Sequence, residues 1–159
     1  MAKKRNRQEK YPNTDVFQYF NQNPHNRITT DCVIRAISLA EGIPYNQCVM
    51  EMAQMQCDTG YDDASKELID RYLKSKGWIK CKQPRKEDRT KYTGVEFCRK
   101  IQNPIYCEEL DLPGWPEFNW HHMIANIGGH HIVAIMDGKI HDIWDCSRKC
   151  IGNVWVKAL

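Results

Sequence analysis

Hydrophobic positions along this chain follow two periods. In the first half they recur every three to four residues, as in amphipathic helices, and in the second they alternate or run together, as in strands. TTDCVIRAISLAEG (29–42) puts Val33, Ile37 and Ala40 on one face with Ile34 beside them, which predicts a helix from Cys32 to Ala40 ended by Gly42 and Pro44. A second helix is predicted from Tyr45 to near Met55. A third falls in DDASKELIDRYLKSKG, where Leu68, Ile69, Tyr72 and Leu73 share a face before Gly77. TGVEFCRKI predicts a short helix. So does TDVFQYFNQ near the start, with Thr14 or Asp15 as N-cap and Val16, Phe17 and Phe20 apolar. WIKCKQP predicts a strand closed by Pro84. Further strands are predicted in NPIYCEEL, HMIANIGG, HHIVAIMDGKIHDIWDC and NVWVKAL.

Helices first and strands last argue for one α+β domain, spanning 13–159, behind a basic, disordered arm over 1–12. The strand pattern carries one strong local signal. Asp137-Gly138 between apolar runs predicts a two-residue hairpin. Met136 then faces Lys139, Ile135 faces Ile140, and Val133 faces Asp142. Alternation places His131, Val133 and Ile135 on the same face as Ile140, Asp142 and Trp144. His131 and Asp142 become diagonal neighbours, with backbones roughly 7–8 Å apart, a gap that an imidazole and a carboxylate can close.

Composition narrows the setting. The chain has 159 residues, 42% hydrophobic and 27% charged, which fits a globular domain rather than a disordered one. No apolar run is long enough to span a bilayer, and MAKKRNRQEK is basic without a following apolar segment of the secretory kind. A cytoplasmic location is therefore expected. The eight cysteines are then expected as free thiols, most of them small core residues. Net charge is +3, with much of the excess in Lys3, Lys4, Arg5, Arg7 and Lys10. No basic stripe with interleaved aromatics follows, so nucleic acid is limited to weak contact through the arm.

Cys32 sits where a helix begins, and the hairpin supplies a histidine held by a carboxylate. A cysteine attacks as thiolate, and a helix N-terminus beside an imidazolium lowers its pKa. The carboxylate fixes the imidazole's tautomer. Backbone N–H groups near Cys32, with the Asn26 amide six residues upstream, are candidates for an oxyanion site.

This order of residues resembles papain-like cysteine peptidases, and their compact bacterial and phage relatives of the bacteriocin-leader-processing type. NP…TTDCVIRAISLA, KQPRKEDRTKY and HHIVAIMDGKIHDIWDC together resemble small papain-like proteins of phages and prophages, over about residues 22–156. The resemblance implies a papain-like α+β fold in which the nucleophile's helix packs on a C-terminal antiparallel sheet. It implies Cys32 as nucleophile, His131 as base and Asp142 as orienting group. At the oxyanion position such enzymes usually carry glutamine, and this chain has Asn26. The implied reaction is hydrolysis of peptide or isopeptide bonds through a thioester, on a protein or peptide substrate in a host cytosol, without a cofactor. Two alternatives stand beside it: deamidation or transamidation by the same triad, and an idle papain-like protein that binds a host factor. A zinc site drawn from His121, His122, His130, His131, Cys146 and Cys150 is the competing chemistry. Adjacent histidines on a strand point to opposite faces, and no spacing is finger-like, so no metal is expected.

Overall fold

The structure is a computed structural model that describes residues 6–103 and 118–158. In chain order the elements are α1 (Arg7–Lys10), β1 (Phe17–Tyr19), α2 (Cys32–Glu41), α3 (Tyr45–Thr59), α4 (Lys66–Ser75), β2 (Trp78–Cys81), α5 (Gly94–Gln102), β3 (His122–Ile127), β4 (His131–Met136), β5 (Lys139–Asp142) and β6 (Ile151–Lys157). The strands form one open six-stranded sheet in the order β1-β5-β4-β3-β6-β2. The fold is α+β. Its C-terminal strands are antiparallel as expected, but the whole sheet is mixed, because β1 joins the β5 edge in parallel.

Two apolar layers, one on each face of the sheet, follow from strand alternation. Ile124, Ile132, Ala134 and Trp155 face α2, α3 and α4, where they meet Val33, Ile37, Leu68, Tyr72 and Leu73. Met123, Ala125, Val133, Ile135, Ile140, Val154 and Val156 face the other way, onto Phe97 and Ile101 of α5. Thus α2 is laid directly over β4, the contact that brings the start of one near the start of the other.

The helices end where local chemistry says they should. Gly42 takes the left-handed conformation (φ 74°) after α2, and Gly60 (φ 75°) does so after α3. α3 runs to Thr59, past the Met55 expected, because Gly60 is the first residue able to close it. Ser65 caps α4, and Thr93 with Glu96 forms a capping box on α5. Asp137 (φ 52°) and Gly138 (φ 74°) make the left-handed pair of a two-residue hairpin. Its register matches the expected one, with Met136 opposite Lys139 and Ile135 opposite Ile140.

One expectation is corrected at the N-terminus. Residues 14–22 do not form a helix. Phe17–Tyr19 pairs with Ile140–Asp142, and Phe17 is fully buried. β-branched and aromatic residues lose rotamer freedom in a helix, and so short a helix gains little on its own, whereas the open edge of β5 offers a ready ladder. Thr14 serves the turn instead, its hydroxyl accepting from the Val16 N–H. Residues 6–12 of the arm are among those described. Asn6 and Glu9 form a capping box around a single helical turn, and Arg7 Nε donates to the Ile143 carbonyl at 2.5 Å. The predicted NPIYCEEL strand and most of the following loop lie outside the described residues. Among the described residues, no helix is long and apolar enough to cross a membrane.

Candidate active site

The site is built where the first turn of α2 meets the end of the β4–β5 hairpin. Cys32 is the first residue of α2, and it is half-buried. Asp31 precedes it in the N-cap position but does not cap the helix with its side chain. Its carboxylate is drawn elsewhere, accepting from Arg35 Nε (2.8 Å), the Tyr45 hydroxyl (2.7 Å) and Asn23 Nδ2 (3.1 Å). The first-turn N–H groups of α2 are therefore left without a side-chain cap, beside the thiol.

His131 opens β4 and Asp142 closes β5. Their side chains meet as the hairpin register requires, with Nε2 at 2.5 Å from Asp142 Oδ2. The ring's other face tilts against Trp144, at 5.1 Å between centroids. Asp142 is only 1% exposed. Its second oxygen, Oδ1, accepts from Arg35 Nη1 (2.6 Å) and from the Ile143 N–H (2.7 Å). β1 steadies this strand end, because the Phe20 N–H donates to the Asp142 carbonyl at 3.0 Å.

These contacts decide the charges. Burial opposes the Cys32 thiolate, yet the His131 ring, the Ile132 N–H and the charges of His131 and Arg35 outweigh it and pull the thiol below its ordinary value. Burial also opposes the imidazolium. Hydrogen bonding to Asp142, Cys146 and Cys32, with the Asp142 charge, outweighs that burial and raises His131 to about 11. Asp142 is held down by His131 and Arg35 despite its burial. The shifts of the sulfur and the ring both run toward a thiolate–imidazolium pair backed by a carboxylate.

The other sequence candidates scatter. Asn26 lies in an exposed turn (φ 52°), with its oxygen 3.4 Å from Asn21 Nδ2. Asn23 is the asparagine of that loop that joins the cluster, through Asp31. Of the histidines in the zinc alternative, His121 pairs with Asp137 at the hairpin turn and His122 bonds the Ala40 carbonyl (3.1 Å). Cys150 is exposed. Among the described residues, only His131, Cys146 and Asp142 bring ligand atoms within 4.8 Å of one another. That donor set suits a metal poorly, because the Arg35 guanidinium already occupies the carboxylate and sets a permanent positive charge beside it.

A cleft of about 430 Å³ is lined by Cys32 together with Val33, Lys80, Asn126, His130, Asn153 and Trp155. No family model, no curated protein and no solved structure matches the chain.

Two residues of the site escape a sequence reading. Arg35 resembles a solvent-facing helix residue, and the only local hint is its i,i+4 spacing from Asp31. Cys146 is 1% exposed, and its thiol lies 3.9 Å from Asp142 Oδ2, the oxygen that also receives His131. Nothing in its neighbourhood, WDCSRKC, marks it out from the other core cysteines.

Proposed function

We propose that this chain is a papain-like cysteine hydrolase that cleaves peptide or isopeptide bonds by acyl transfer, acting in a host cytosol as a phage- or prophage-type protein. The observation that carries the reading is the His131–Asp142 pair, Nε2 to Oδ2 at 2.5 Å on a buried carboxylate, with the ring lowering the pKa of the Cys32 thiol at the start of α2. With Nε2 committed to Asp142, Nδ1 is the ring nitrogen left to serve the sulfur.

The steps follow from these positions. The Cys32 thiolate attacks the substrate carbonyl, and the uncapped N–H groups at the start of α2 receive the developing oxyanion. His131 Nδ1–H protonates the departing amine as the C–N bond breaks, leaving a thioester on Cys32. His131, now neutral, takes a proton from water, whose oxygen displaces the sulfur. The product leaves as a carboxylic acid, and the thiolate–imidazolium pair is restored. Free thiols throughout the described cysteines accord with a reducing compartment.

The test is to incubate a broad peptide mixture with the protein and with Cys32→Ala and His131→Ala, reading new termini by mass spectrometry. Cleavage is expected with the unaltered chain alone. A one-dalton gain at Gln or Asn without new termini would assign deamidation instead. Cleavage that persists in Cys32→Ala would overturn the reading.

A further inference from the structure

We propose that Arg35 is the positioning residue of this site, selecting which oxygen of Asp142 serves His131 and holding the relay in its charge-separated form. This rests on the hydrolase reading above and goes beyond its three catalytic groups.

A carboxylate is free to turn about its Cβ–Cγ bond, and only donors from elsewhere stop it. At Asp142 two donors, Arg35 Nη1 (2.6 Å) and the Ile143 N–H (2.7 Å), converge on Oδ1 and leave Oδ2 to His131 and the Cys146 thiol. Arg35 is fixed in its turn. Its Nε meets Asp31 Oδ1 at 2.8 Å, and Asp31 is held by Tyr45 from α3 and by Asn23 from the preceding loop. The guanidinium thus ties α2 to β5 across 107 residues of sequence. It stands three residues after Cys32 on the same helix, so the nucleophile and the group that aims its base move as one body.

Stability alone is a poor reason for this arrangement. Arg35 is 6% exposed and Asp142 1%, and apolar residues of similar volume often serve a folded core as well as or better than a buried ion pair. What an apolar pair cannot do is orient a carboxylate. A lysine cannot do it fully either, since one ammonium lacks the fork that meets Asp31 and Asp142 together. The charged and titratable groups around Arg35 are Asp31, Tyr45, Asp142 and His131, with Cys32 and Cys146 beyond. Removing its positive charge leaves Asp142 facing His131 and Cys32 uncompensated, which disfavours the thiolate.

The experiment follows iodoacetamide alkylation of Cys32 in the full chain between pH 5 and pH 10, mapped by mass spectrometry, for the unaltered protein, Arg35→Lys and Arg35→Met, with melting curves alongside. In Arg35→Met the acid limb of the profile is expected about one pH unit higher, so alkylation below it is about tenfold slower. Arg35→Lys is expected to move the midpoint up by about half a pH unit, and so to react about threefold slower below it, since it keeps the charge and loses the fork. A purely structural arginine would lower the melting temperature without moving the midpoint. An unmoved midpoint in folded Arg35→Lys therefore overturns the inference, and it decides the matter even if Arg35→Met fails to fold. A low midpoint in the unaltered chain that His131→Ala abolishes keeps the hydrolase reading intact whatever Arg35 does. Its absence there would sink that reading instead.

Discussion

Replacing Asp142 by asparagine keeps the shape and reverses one hydrogen bond. Oδ1 faces two donors, Arg35 Nη1 at 2.6 Å and the Ile143 N–H at 2.7 Å, so the asparagine must present its carbonyl oxygen there. Its NH2 group then points at His131 Nε2, where the native contact is 2.5 Å. A donor on that side forces Nε2 to accept, which places the neutral ring's proton on Nδ1, toward Cys32. The opposite flip would set NH2 against two donors, at a cost of about 1–3 kcal/mol for each unsatisfied group. The base is therefore lost rather than weakened. An unassisted thiol near pKa 8.5 is only about 3% ionised at pH 7, so alkylation of Cys32 there should fall by up to about thirtyfold. Peptide turnover should fall about 10³- to 10⁴-fold, the order seen when a triad carboxylate becomes an amide. Arg35 keeps Asp31, so the loss of stability is about 1.5–3 kcal/mol and the fold survives. Alkylation kinetics at pH 7, with circular dichroism as the control, measure this. Native-rate alkylation in a folded Asp142→Asn protein would refute the reasoning.

Two further predictions follow from named contacts. His131 is raised to about 11 from an unfolded value near 6.5, so its contribution to stability is complete below about pH 6.5 and is lost as pH rises toward 11. His131→Ala should therefore flatten the alkaline decline, seen as a smaller difference between urea midpoints at pH 6 and pH 9.5. An unchanged difference would mean that the ring is not held as an imidazolium. At Gly94, a Cβ would stand 2.8 Å from the Ser147 carbonyl oxygen and 3.0 Å from its Cα, against backbone that cannot swing aside. Gly94→Ala should cost about 1–3 kcal/mol by chemical denaturation, and a neutral result would show that the loop after β5 yields readily.

Much of the site was legible because its signals are local. The register of the hairpin is set by Asp137-Gly138, and once that turn is placed, His131 and Asp142 share a face. The start of α2 at Cys32 follows from spacing and from Gly42. What stayed hidden depends on partners distant in sequence. Phe17–Tyr19 has helix-like spacing, and only the free edge of β5 makes it a strand. Arg35 finds Asp142 through folding alone, and Cys146 reaches the same carboxylate by the turn that follows β5. Asn26 stands at the spacing expected for an oxyanion amide, but the loop turns at that residue and sends Asn23 inward.

Competition among the thiols tests the central claim most directly. By exposure alone, Cys57 and Cys150 should react first, and half-buried Cys32 should lag behind them. With limiting iodoacetamide at pH 6, the account predicts Cys32 modified at least about tenfold faster than either, because thiolate character and not access decides the rate. That advantage should vanish in His131→Ala. Cys57 and Cys150 reacting first, with Cys32 indifferent to the loss of His131, would contradict it.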